Sequence, residues 1–169
     1  MAGPTDNRRR GITHKRSGGR ERRQSILFLC THNSCRSQMA EGWTRHLHGG
    51  RFDPHSAGID PTRVDPYAIK VMAEAGVDIS CGHAKSIGEV QDISFDYVVT
   101  VCDEARERCP YFPARVRMIH VGFDDPPALV KEAGDEQAVL TIYRRVRDEI
   151  GSFVEELPRT LEAEDNQPS

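Results

Sequence analysis

The sequence predicts an α/β fold: a single doubly wound domain with a four-stranded parallel sheet and helices on both faces. Three observations carry that expectation. Short apolar runs of strand type alternate with stretches of helical periodicity over residues 25–158, the pattern of a parallel sheet covered on both sides. The length of 169 residues allows one domain of ordinary size. A polar loop dense in reactive side chains lies directly between the first strand and the first helix, and ligands in such sheets sit at the carboxyl ends of strands near a switch point.

Ser25–Cys30 (SILFLC) is a short continuous apolar run, as in a strand buried on both faces. Met39, Ala40, Trp43 and Leu47 then recur at helical steps, and Gly49-Gly50 ends that helix. Arg51–Ala57 is a weaker strand candidate. Asp65-Pro66 offers an N-cap followed by proline at the first helical position; Ile69, Met72 and Ala73 give the helix its face, and Gly76 stops it. Phe95–Cys102 (FDYVVTVC) is a strong strand. Asp103–Cys109 favours a short helix, with Asp103 as N-cap and Pro110 as breaker. Val116–Val121 is the fourth strand. Val139, Leu140, Tyr143, Val146, Ile150, Phe153, Val154 and Leu157 form a long amphipathic helix that Pro158 is expected to close, leaving residues 159–169 as a polar tail.

The apolar fraction is 37%, below the globular norm, which places part of the chain outside the core. Residues 1–24 hold eight Lys/Arg against two acids, a net of +6, and the rest holds 15 basic against 24 acidic residues, a net of −9. The basic segment has almost nothing apolar and is expected to be a disordered extension. The body is acidic and has no basic stripe, so nucleic acid is not an expected partner, and a monomer is expected. The longest apolar runs fall far short of the roughly 20 residues of a membrane helix. No apolar segment follows the charged N-terminus, and a cytoplasmic location is expected.

Five cysteines occur: Cys30, Cys35, Cys81, Cys102 and Cys109. The odd count argues against a disulfide framework and for reduced thiols. No pair has C-x-x-C spacing and no histidines join them in a zinc pattern, so no metal site is expected. Such cysteines are either inert and buried or reactive.

The loop Cys30-Thr31-His32-Asn33-Ser34-Cys35-Arg36-Ser37 is the strongest signal. Backbone N–H groups of a tight loop that runs into a helix N-terminus converge to cradle an anion. Asn33 tolerates the left-handed conformation that such a loop requires. Arg36 brings a planar fork suited to two oxygens of a tetrahedral oxyanion. Cys30, at the strand end under the same donors, is expected to have a pKa well below the free value of about 8.5, and Ser37 can donate to its sulfur. The product is a nucleophile beneath a bound oxyanion. A coincidental cysteine and arginine is the competing reading, which the strand, helix and trailing serine make the weaker one.

CTHNSCRSQMAEG resembles the phosphate-binding loop of the low-molecular-weight protein tyrosine phosphatase fold, and more closely that of the thioredoxin-coupled arsenate reductases built on it. The likeness continues through HSAGID at 55–60, FDYVVTVCDEARERCP at 95–110 and HVGFDDPP at 120–127, spanning roughly residues 25–158. The resemblance implies that the loop residues Thr31, His32, Asn33, Ser34, Cys35, Arg36 and Ser37 bind the oxyanion. It gives Cys30 the role of nucleophile and matches Cys102 and Cys109 to the two further thiols of the reductases. Asp125, before Pro126, matches the general acid, with Asp124 as the competitor. His32 and His120 are expected to be bystanders, Cys35 to be structural, and Cys81 matches no catalytic position. Some reductases of this family hold a potassium ion near the loop through an Asn and a Ser, matched here by Asn33 and Ser56, and a downstream carboxylate. Lys85 stands at that last position, so its ammonium is expected to replace the cation, with Asn33, Ser37, Ser56 and Lys85 supporting the loop.

The function so implied is arsenate reduction by a relay through Cys30, Cys102 and Cys109, with no tightly bound cofactor and with electrons from thioredoxin. A tyrosine phosphatase using Cys30, Arg36 and Asp125 is the alternative. A non-catalytic oxyanion sensor is the reading from another class.

Overall fold

The computed structural model describes residues 21–113 and 115–167. The expected basic extension lies outside the described residues as far as residue 20. Its last residues belong to the body: Arg22 pairs with Asp96 at 2.7 Å, Arg23 donates to the Gly49 carbonyl at 3.1 Å, and Gln24 opens the first strand.

Four parallel strands, β1 (Gln24–Cys30), β2 (Phe52–Gly58), β3 (Tyr97–Thr100) and β4 (Arg117–His120), lie in the order β2-β1-β3-β4. β1 is central, which is why Ile26–Leu29 are wholly buried and why its sequence is apolar without alternation. β2 is an edge, where Pro54 is tolerated because a strand that lacks one N–H loses nothing on its open side. β4 is the other edge and leaves Met118 47% exposed. The chain adds β2 on one side of β1 and then crosses to β3 on the other. The carboxyl ends of β1 and β3 therefore flank the switch point.

Helix α1 (Arg36–His48) follows β1, and α2 (Pro66–Glu74) follows β2. Asp65 caps α2 by accepting from the backbone N–H of Tyr67 and Ala68, and Gly76 ends the segment at φ 80°. Two helix faces differ from expectation. Leu47 is 37% exposed, and α2 buries Ala68, Val71 and Met72 rather than Ala73, because α5 approaches from one position around the helix. α3 (Asp103–Glu107) is one short turn whose N-cap is Cys102, not Asp103: the Cys102 Sγ accepts from the Ala105 N–H at 3.4 Å. β3 is correspondingly shorter than the apolar run. α4 (Pro126–Leu129) was hidden in a proline-rich stretch.

α5 (Glu136–Asp165) runs straight through Pro158, so the expected stop there and the polar tail after it are corrected. Proline removes the donor to the carbonyl four residues back, here Val154. His48 supplies a replacement, its Nε2 2.9 Å from that oxygen. Beyond the proline, Leu161 is 1% exposed and Tyr97 donates to Asp165 at 2.6 Å, so the last turns are tied to the start of the inner strand β3.

Candidate active site

The loop from Cys30 to Ser37 leaves the end of the buried central strand and enters α1. Asn33 is the only described non-glycine residue at positive φ, 48°, as expected of its type. The segment after β2 lies along the loop's outer side. Ile59, Asp60, Thr62 and Asp65 donate backbone N–H bonds of 2.8–3.1 Å to the carbonyls of Cys30, Thr31, His32 and Ser34. With those carbonyls held outward, the loop's own N–H groups are turned the other way, toward the sulfur: Asn33 N–H reaches Cys30 Sγ at 3.2 Å. Gly58 makes this approach feasible, because a Cβ there would sit 2.8 Å from both Asn33 N and Thr31 O.

Cys30 is 3% exposed and its Sγ lies 2.8 Å from Ser37 Oγ. Asn33 Nδ2 donates to that same Ser37 oxygen at 2.8 Å, which leaves the hydroxyl proton free to turn to the sulfur. Asn33 Oδ1 in turn accepts from Gln38 Nε2 at 3.0 Å and from the Lys85 N–H at 2.8 Å. Burial pushes the Cys30 thiol up, against the lowering by Ser37, Asn33 and, least of all, Arg36. The expected depression is thus not found: burial outweighs the loop donors, and the smallest help comes from Arg36. Its guanidinium donates to the Phe123 carbonyl at 3.0 Å and lies 3.3 Å from Asp125, turned toward the far rim instead of the sulfur.

Asp125 occupies the N-cap position of α4, yet its side chain makes no cap bond and faces Arg36. Asp124 is engaged elsewhere, 3.1 Å from Arg145. A pocket of about 240 Å³ opens between His32, Ser34, Asp65 and Asp125. His32 points outward, its Nδ1 3.0 Å from the Asp60 carbonyl. Cys35 is buried at 2% exposure, and burial together with Asp65 and Asp125 pushes its thiol well up.

Two supports differ from expectation. Ser56 donates to Glu41 of α1 rather than to the loop. Lys85 supports the loop through its backbone N–H, while its ammonium lies 3.7 Å from Glu41 and 3.1 Å from the His83 carbonyl. Gln38, Glu41 and Gly58 were not singled out from the sequence. Only the unbroken likeness of CTHNSCRSQMAEG and HSAGID, which contain them, could have found them. Among the described residues no group of three or more His, Cys, Asp or Glu could hold a metal ion.

The second pair of thiols flanks α3 beside the loop. Just past β3 the Val101 N–H bonds the Leu29 carbonyl at 2.9 Å, and the Sγ of Cys102, the next residue, lies 3.4 Å from Thr31 Oγ1. Cys102 is 5% exposed. Cys109 is half-buried against the core, and burial pushes its thiol up. Cys81 is exposed.

A family model described as low molecular weight phosphotyrosine protein phosphatase matches residues 25–167. The chain belongs to that family. Among curated relatives, an arsenate reductase of Halalkalibacterium halodurans is 44% identical over 135 residues, 80% of this chain and 95% of that protein. Among solved structures, an arsenate reductase in the phosphate-binding state superposes with a TM-score of 0.62 at 30% identity, covering 79% of this chain and 95% of that one. A thioredoxin-dependent arsenate reductase of Corynebacterium glutamicum gives a TM-score of 0.61 at 25% identity, covering 85% of this chain and 64% of that one. In this family member the loop from Cys30 to Ser37 has Cys102 beside it. No helix among the described residues is long and apolar enough to cross a membrane.

Proposed function

We propose that the protein is an arsenate reductase that uses Cys30, Cys102 and Cys109 in sequence and is recycled by thioredoxin. The observation that carries this reading is Cys102, placed against Thr31 at 3.4 Å, beside the loop nucleophile. A phosphatase of the same fold has no use for a thiol there. The relatives named above are arsenate reductases, and one is thioredoxin-dependent.

Arsenate is a tetrahedral oxyanion and suits the loop amides. Arg36 leaves the Phe123 carbonyl and turns its fork onto two arsenate oxygens. The incoming dianion is itself basic and takes the Cys30 proton, which offsets the raised pKa. Cys30 sulfur bonds to arsenic, an As–O bond breaks, and Asp125 protonates the departing oxygen, which leaves as water. Cys102 then attacks the Cys30 sulfur. The S–S bond forms, the S–As electron pair stays on arsenic, and As(V) leaves as As(III). Cys109 attacks Cys102, freeing Cys30 and moving the disulfide to 102–109. A dithiol of the thioredoxin class reduces it. The protein's location is the reducing cytoplasm, where such a partner is kept reduced.

The test is arsenite production from arsenate with thioredoxin, thioredoxin reductase and NADPH. Wild-type protein is expected to turn over repeatedly, and Cys30→Ser to be inactive because no alkoxide is accessible at neutral pH. Turnover of a phosphotyrosine analogue with no arsenite formation would overturn the reading in favour of a phosphatase.

A further inference from the structure

Cys102 must lose a proton to become a nucleophile, yet it is 5% exposed, and Thr31, its neighbour, is 6% exposed. The thiol therefore has little contact with water. Thr31 Oγ1 lies 3.4 Å from Cys102 Sγ on one side and 3.0 Å from Glu104 Oε2 on the other. Glu104 is half in solvent, at 51% side-chain exposure. The three groups form a line from the buried sulfur to the surface.

Donor accounting gives the line a direction. Arg108 and Thr31 hold the Glu104 carboxyl below its usual range, so it is ionised and can only accept. The single Thr31 proton therefore goes to Glu104, and the Thr31 oxygen can only accept from Cys102 S–H. The remaining contact to Cys102, from the Ala105 N–H at 3.4 Å, is itself a donor and cannot take a proton.

We propose that Thr31 and Glu104 form the route by which the Cys102 proton reaches solvent as Cys102 attacks Cys30. The inference rests on the arsenate-reductase reading. In the step, the Cys102 proton passes to Thr31 Oγ1 while the Thr31 proton passes to Glu104, which releases it to water. The Cys102 electron pair forms the S–S bond, and the Cys30–arsenic pair remains on arsenic. Glu104 touches neither arsenic nor sulfur and acts as a positioning residue through Thr31. The charged and titratable groups around the route are Asp103 and Arg108 on the same segment, Cys30 and His32 of the loop, Asp60 after β2 and His120 of β4.

The test is a single turnover: reduced full-length protein is mixed with arsenate in the absence of thioredoxin, and arsenite release is followed across a pH series. Wild type that releases no arsenite would sink the reductase reading itself and is thereby distinguished from a failure of the route. With wild type active, Glu104→Gln is expected to slow release about 100-fold near neutral pH and to recover as pH rises, because hydroxide then takes the proton. Thr31→Val is expected to do the same, and the double variant to be no slower than either single one. Arg108→Gln, which removes the pairs to Glu104 and Asp60 but keeps the Thr31 contact, is expected to release arsenite at close to the wild-type rate. A Glu104→Gln pH profile parallel to that of wild type would overturn the route. So would an Arg108→Gln variant as slow as Glu104→Gln, since Glu104 would then only be holding α3 in place.

Discussion

His48 Nε2 sits 2.9 Å from the Val154 carbonyl, the one acceptor in α5 that Pro158 leaves without its helical donor. A buried carbonyl with no partner costs about 1–3 kcal/mol, enough to end a helix. A single side chain from α1 removes that penalty and lets α5 continue to Asp165. His48→Ala is therefore expected to lower stability by about 1–3 kcal/mol. Pro158→Ala, which restores the backbone donor, is expected to recover much of that loss in the double variant. Urea denaturation midpoints of the two single variants and the double variant measure both effects, and strict additivity would show that the two residues are not coupled.

The same helix end carries a pH dependence. Burial and Asp165 push the Tyr97 hydroxyl from its ordinary 10.0 up to about 12. Folded protein thus holds this proton more tightly than unfolded protein does. The contribution is fully present below the unfolded value and is lost as pH rises through the folded one. Wild type is expected to lose stability between about pH 10 and 12 more steeply than Tyr97→Phe. Parallel pH curves for the two proteins would mean that this tyrosine does not hold the end of α5.

Gly58 is the least visible requirement of the site. A methyl group there meets backbone atoms of Asn33 and Thr31 at 2.8 Å, and backbone cannot rotate away as a flexible side chain can. Gly58→Ala is expected to displace the loop and to cut arsenate turnover about 100-fold, the scale of a 1 Å misplacement. Circular dichroism should show the sheet retained. Full activity would show that the loop can shift outward at no cost to chemistry.

Gly58 also illustrates what the sequence could and could not tell. Cys30, Asn33, Arg36 and Ser37 were legible because one contiguous loop, bounded by a strand and a helix, holds all of them. Four strands and the helices α1, α2, α3 and α5 were legible from periodicity with cap and breaker residues, whereas α4 was not. Gln38, Glu41 and Gly58 were not, because their roles depend on partners in segments that only the folded sheet brings together. Pro158 misled for the same reason: the local rule that proline ends a helix is correct unless a distant donor, here His48, intervenes. The thiol pKa expectation failed because it counted the loop donors around Cys30 and left out its burial, the largest cause of the rise.

Two adjacent carboxylates compete for the role of general acid, and their partners separate them. Asp125 faces Arg36 across the loop, whereas Asp124 pairs with Arg145 on the surface. Asp125→Asn is expected to lower the rate about 100-fold or more, as loss of a proton donor does. Asp124→Asn loses only an exposed pair worth about 1 kcal/mol or less and is expected to keep close to full activity. Kinetics of the two variants with arsenate decide between them, and the reverse ranking would reassign the acid.

Cys102 and Cys109 bracket α3, one as its N-cap and the other just past its C-cap residue, Arg108. At 1.5 Å of rise per residue their Cα atoms are roughly 10 Å apart along an intact helix. A disulfide needs them within about 7 Å. The 102–109 bond therefore requires the segment to unwind. α3 has five residues, below the length at which a helix is stable alone, so what opposes unwinding is the burial of Ala105 and Cys102 and a few tethers. Its tethers are Asp103 to His120 at 3.1 Å, Glu104 to Thr31 at 3.0 Å and Arg108 to Asp60 at 2.9 Å. These are solvent-exposed or half-exposed contacts, and exposed pairs are worth about 1 kcal/mol or less each. Unwinding also withdraws Cys102 from Thr31 and carries the oxidised pair outward, where a dithiol partner can attack it. The oxidised protein is expected to lose amide protection from Asp103 to Pro110 while β1 and β3 keep theirs, measured by hydrogen exchange with peptide-level mass spectrometry on the reduced and 102–109-oxidised forms. Equal protection in the two forms would mean that the disulfide forms by a bend elsewhere, with α3 kept as it stands.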